Sequence, residues 1–142
     1  MFALGPEIDI VLKLLLATFL GSMVGFEREI HKKPAGLRTH SLVCMGSTLF
    51  TLVSLSMVGP NVDVSRIAAG VVTGIGFLGA GMIFKAENKV KGLTTAAELW
   101  ALAAIGLAIG VGYYFAAFAT SLIILLILGP MKYIDKETRE KM

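Results

Sequence analysis

Residues 99–130 read LWALAAIGLAIGVGYYFAAFATSLIILLILGP, 32 residues without one charged side chain. The hydrocarbon core of a bilayer takes about 20 apolar residues as a helix, so this run is too long for one upright span. Gly110-Val111-Gly112-Tyr113 interrupts it near the middle, and glycines placed there favour a turn over one continuous rod. The stretch therefore predicts a tight antiparallel hairpin, with spans at about 95–111 and 113–130.

Towards the N-terminus three more apolar segments meet the same length criterion, at roughly 8–26, 39–58 and 65–84. Of the 142 residues, 56% are hydrophobic and only 16% are charged. A soluble domain of this size needs more charge to cover its surface. The expected fold class is all-α: a polytopic protein of the cell membrane with about five transmembrane helices, forming a single domain over 1–142. The first apolar run is not read as a cleavable signal, because it opens with Glu7 and Asp9 in place of a basic region. Cys44 is the only cysteine, which excludes an intrachain disulfide and makes a buried thiol the plain expectation.

The net charge is +3, yet the cations are unevenly spread. Arg28, Lys32, Lys33 and Arg38 lie in the first connection, Lys85, Lys89 and Lys91 in the third, and Lys132, Lys136, Arg139 and Lys141 in the tail. Eleven of the thirteen basic residues fall on one side only if the span number is odd; Arg66 and Lys13 are the exceptions. Cytoplasmic loops carry the excess of Lys and Arg, so the N-terminus is expected outside and the C-terminus in the cytoplasm. Asp9 stands four residues before Lys13, a spacing that pairs them on one helix face. Basic residues set between apolar spans do not suggest nucleic-acid binding.

Small residues mark the faces where membrane helices approach closely. Gly21 and Gly25 form a GxxxG in the first span; Gly70, Gly74 and Gly81 share one face of the third, and Gly76 with Ala80 another. Ala97, Ala101, Ala104 and Ala108 line the fourth, with Gly106 and Gly110 on a second face. This pattern makes the third and fourth spans central and leaves the fifth, with its Leu122–Ile127 run, facing lipid. Gly76-x-x-Gly79-x-Gly81 is not read as a nucleotide-binding loop, because it follows no strand and lies within a span.

Gly36-Leu37-Arg38-Thr39 and Gly92-Leu93-Thr94-Thr95 repeat one short turn. A shift of 56 residues lays Gly25, Lys33, Gly36, Leu37 and Thr39 on Gly81, Lys89, Gly92, Leu93 and Thr95. Two parallel helical hairpins would follow from a true repeat, and common turn chemistry would give the same identities. Thr39 and Thr95 are expected to cap the helices they open, and Thr95-x-x-Glu98 reads as a capping box. Glu98 has a sharper alternative as an ionisable site within the membrane. Around the first turn Glu27, Arg28, Arg38 and His40 suggest a salt-bridge cluster, with Arg38 paired to Glu27. The competing reading is an anion site on the N-terminus of the second helix, with Arg38 and His40 as donors. Glu27/His31 and His40/Cys44 have the i,i+4 spacing of metal ligands, but the sparse, mixed set predicts neither a metal site nor a cofactor. No Ser/His/Asp or Cys/His arrangement supports an enzyme.

Three blocks, GFEREIHKKPAGLRTHSLVCMGS (25–47), GIGFLGAGMIF (74–84) and KGLTTAAELWALAAIGLAIGVGYY (91–114), closely resemble the hydrophobic N-terminal domain of the MgtC/SapB family. Motif positions shared with that family include Glu27, Arg28, Arg38 and Thr39, the glycines from Gly74 to Gly81, and Thr94, Thr95 and Trp100. The resemblance implies an inner-membrane protein linked to growth under magnesium limitation. Family members look like regulators acting through other membrane proteins, such as the F-type ATP synthase or ion uptake systems. It also implies that the cytoplasmic C-terminal domain of longer members is missing here. Glu98 stands where many relatives are expected to carry a small or uncharged residue. The expectation is thus a regulator in the bilayer, possessing a homodimer contact; the alternative is a dimeric transporter or channel for magnesium or another small ion.

Overall fold

A computed structural model of the chain describes residues 5–57, 59–60, 62–86 and 89–130. Its elements are α1 (Pro6–Ile30), α2 (Leu37–Ser56), α3 (Ser65–Met82), β1 (Phe84–Ala86), β2 (Lys89–Lys91), α4 (Leu93–Gly110) and α5 (Tyr114–Leu128). The first four helices are each long and apolar enough to cross a membrane, and α5 is an apolar helix of 15 residues. The architecture is an all-α polytopic membrane bundle. The expected end of the second span at position 58 and the basic tail (Lys132, Lys136, Arg139 and Lys141) lie outside the described residues.

Helix α1 has Pro6 near its start and Glu7 and Asp9 in its first turn, where the amide dipoles favour acids. Lys13 and Asp9 pair at 2.9 Å. The helix ends through a back-folded bond from the Lys33 amide to the Arg28 carbonyl at 3.0 Å, which places Lys32 in the left-handed region at φ 50°. A side chain there costs about 1–2 kcal/mol that glycine would not.

The turn between α4 and α5 falls where the glycines lie, with Gly112 at φ 88° and the Tyr113 amide bonded to the Ala108 carbonyl at 2.8 Å. Between α2 and α3, the Ser65 amide and hydroxyl both donate to Asp63, and those bonds hold its carboxyl below the usual range. The segment between α3 and α4, expected only as a charged connection, is a two-stranded antiparallel ribbon that pairs Phe84 with Lys91 and Lys85 with Val90. Three-residue strands are too short for alternation to announce them.

The core runs where α1, α2, α4 and α5 meet: Ala17, Leu20 and Val24, then Cys44, then Leu102, Ile105 and Ile109, then Ala117, Ile124 and Leu128. Glycines let the backbones touch. A Cβ on Gly21 would lie 2.7 Å from the His40 carbonyl oxygen, and one on Gly25 would lie 2.6 Å from Leu37 Cα. On the other side of α2, a Cβ on Gly106 would meet the Cys44 carbonyl and sit 2.7 Å from Ser47 Cβ, while Gly110 abuts Thr51. Thr48 donates across that contact to the Gly106 carbonyl at 2.9 Å. Helix α2 is thereby clamped between α1 and α4.

The expectation that the third span is central is corrected. Only Ile75 and Gly79 of α3 are buried, and Gly70, Gly74, Gly76 and Gly81 have open space where a Cβ would stand. Helices α2 and α4 are the central pair, and α3 lies at the edge against α4 and, more lightly, α2. A small-residue face announces a close approach without saying whether the neighbour belongs to the same chain. In α5, Leu122, Ile123, Leu126 and Ile127 are exposed, whereas Ile124 is buried.

Candidate functional site

The C-terminal end of α1 and the N-terminal ends of α2 and α4 converge at one end of the bundle. Arg28, in the last turn of α1, is 4% exposed; Glu98 is 5% exposed, and His40 is fully buried. Glu98 lies in the second turn of α4, five residues beyond its start and so about 8 Å along the helix. Arg28 Nε is 3.1 Å from Glu98 Oε2, and His40 Nε2 is 3.3 Å from Glu98 Oε1. A carboxylate in so apolar a helix requires partners, and two other helices supply them, the Arg28 guanidinium from α1 and the His40 imidazole from α2.

The same arginine donates from Nη1 to Glu27 Oε2 at 3.1 Å, and Glu27 Oε1 lies 2.9 Å from His31 Nδ1. His40 Nδ1 is 2.9 Å from the Gly36 carbonyl, which can only accept, so Nδ1 carries a proton. Its Nε2 then faces the Glu98 carboxyl group. Arg28 Nε, His40 Nε2 and both Glu98 oxygens approach within ion-pair distance but make no aligned hydrogen bond. Three helices rather than one hold these contacts together.

This arrangement corrects four expectations. The capping box Thr95-x-x-Glu98 does not form: α4 starts two residues earlier, from Gly92 at φ 89°, and no side chain caps it. Thr95 is buried within the first turn, and Glu98 turns to Arg28 and His40. Thr39 likewise lies inside α2, whose N-cap is Gly36, and is exposed. Arg38 is exposed too and has no carboxylate within ion-pair distance among the described residues; Arg28 and His31 take Glu27 instead. The anion site expected on the α2 N-terminus is filled from within the chain, because Glu29 Oε2 accepts from the Leu37 amide at 2.9 Å.

Thr94 and Trp100 are exposed and stand apart from the buried charges, Thr94 on a polar cavity beside Arg28 and Trp100 on the outer surface of α4. No group of three or more His, Cys, Asp or Glu side chains that could hold a metal is present among the described residues. The link from Arg28 to Glu98 and the Glu29 cap escaped the sequence reading. One signal could have found the first: Glu98 is the only charge between residues 92 and 131, and an isolated acid there must find a cation on another helix.

Against known proteins, the profile of the MgtC family matches residues 14–137. The chain is 46% identical over 127 residues to "Putative magnesium transporter YhiD" of Escherichia coli K12, covering 84% of this chain and 59% of that one. It is 38% identical over 152 residues to protein SapB of Bacillus subtilis, covering 94% and 66%. With protein MgtC of Salmonella typhimurium it shares 46% identity over 115 residues, covering 81% and 49%. The chain thus spans about half to two thirds of the length of these relatives. No solved structure matches it. With the family profile covering nearly the whole bundle and apolar helices that cross the bilayer several times, the chain belongs to the MgtC family and is a multi-pass protein of the bacterial plasma membrane.

Proposed function

We propose that this protein is a membrane-embedded regulator linked to magnesium limitation, working by lateral contact with a second copy and with other membrane proteins. The observation that carries the reading is the open face of α3. Its Gly70 and Gly74 border an apolar groove of about 820 Å³ between α2 and α3, and none of the described residues fills the space beside them. Such a face lets a foreign helix bring its backbone close, which is where helix association in lipid gains its packing energy. An F-type ATP synthase or an ion uptake system is the class of partner that the family resemblance implies.

Gly74→Leu tests this reading. The substitution should leave the monomer folded, since its side chain enters open space, and should abolish self-association or partner capture measured by crosslinking in membranes. Unchanged association in a folded Gly74→Leu protein would refute the α3 contact. The expected sidedness has its own check: Gly59→Cys should react with an impermeant thiol reagent in intact cells and Lys33→Cys should not. The reverse labelling pattern would overturn the orientation.

The second reading, a dimeric transporter or channel, is favoured by the buried ionisable side chains of Arg28, His40 and Glu98 and by the magnesium transport named for YhiD. Five helices are few to enclose a polar route, so this reading needs the dimer as well. Magnesium flux into liposomes holding the purified protein supports transport. Absence of flux, with partner capture intact, supports regulation.

A further inference from the structure

A cavity of about 440 Å³ opens between the end of α1, the β-ribbon and the first turn of α4. Four cations, Arg28, Lys32, Lys33 and Lys91, line it, and no carboxylate does among the described residues. Glu27 and Glu98 offset Arg28, but Lys32, Lys33 and Lys91 have no carboxylate within ion-pair distance among the described residues. Arg28 is 4% exposed and already engages Glu27 and Glu98, so at the cavity wall it contributes positive charge rather than a free donor.

The first turn of α4 contributes the rest. No side chain caps this helix, and the amides ahead of the Ala96-to-Gly92 bond have no partner within it. The equivalent turn of α2 receives Glu29. The 56-residue shift that overlays the two turns puts Lys85 at the place of Glu29, so the second turn has a cation where the first has its anion. Three lysines without a carboxylate partner among the described residues, the positive charge of Arg28 and the Thr94 hydroxyl beside the first-turn amides of α4 suit a group with several anionic oxygens. A water occupies about 30 Å³, so the cavity has room for such a group with part of its hydration.

We propose that this cavity binds a phosphate group, either free phosphate or the headgroup of an anionic phospholipid. Both sources offer the same oxygens to the same donors. The inference does not rest on the regulatory reading, because it would hold for a transporter equally.

The test uses the purified protein in maltoside micelles, with two probes. Inorganic phosphate is titrated by calorimetry, and phosphatidylglycerol is added to the same micelles and retained species are counted by native mass spectrometry. One saturable site per chain for either probe is expected. Phosphate alone identifies the soluble source and phosphatidylglycerol alone the lipid source. Lys32→Gly is the decisive variant, because it removes a lining cation while relieving the left-handed backbone. Its melting temperature should hold or rise while affinity falls about tenfold, the size of one lost charge-assisted hydrogen bond. Lys91→Gln should weaken binding similarly, and Lys89→Gln, outside the cavity lining, should not. No saturable binding of either probe overturns the proposal, as does an equal loss in Lys89→Gln, which would reduce the site to diffuse surface charge.

Discussion

Glu98→Ala is expected to destabilise the bundle by about 3–5 kcal/mol, the range for removing one member of a buried ion pair. The substitution leaves Arg28 with Glu27 alone and His40 with no carboxylate, both deep among three helices. Stranded buried charge, more than any lost attraction, produces the effect. Glu98→Gln should fall between, since an amide preserves the volume and accepts from Arg28 without balancing its charge. Arg28→Met, His40→Leu and Glu98→Met together should recover much of the loss, because an apolar set of similar volume needs no compensation. The measurement is the unfolding midpoint in mild detergent. An unchanged midpoint for Glu98→Ala would show that water reaches the cluster and that it does not hold the helices together.

Gly106→Leu should be as damaging for a different reason. Its Cβ alone would run into the Cys44 carbonyl and Ser47, and the added side chain would force α2 and α4 apart. That separation also breaks the Thr48 bond to the Gly106 carbonyl. Overpacking and a lost interhelical bond together cost about 3 kcal/mol or more. Comparison with Gly74→Leu makes the argument sharp, because the same substitution at the open position should leave the monomer's midpoint unchanged. Equal destabilisation of both variants would mean that leucine is harmful for reasons other than the α2–α4 contact.

Much of the fold was legible because hydropathy and glycine placement act locally. The 99–130 run announced a hairpin, and the α4–α5 turn sits at its glycines. Helix ends were read two residues late at α2 and α4, since Thr39 and Thr95 look like caps while Gly36 and Gly92 hold that position. The candidate site was harder. Residues Glu27, Arg28, His40 and Glu98 were all suspected, but their pairing depends on which helices are neighbours. Arg28 is placed beside Glu98 by the packing of α1, α2 and α4, seventy residues apart in the chain, and no local pattern encodes that. Arg38 looked equally good in sequence yet points to the surface, because its helical phase puts His40 inward instead.

The glycine contacts that join α1, α2 and α4 also bear on permeation. Gly21, Gly25, Gly106 and Gly110 meet their neighbours where even a methyl group has no room. A divalent cation such as magnesium gives up its inner waters reluctantly and travels as something far wider than a methyl. The α1–α2 and α2–α4 seams are therefore closed to it at these contacts. A conducting pathway for such an ion would have to avoid these contacts, and the face of α3 that the described residues leave uncovered is one place outside them.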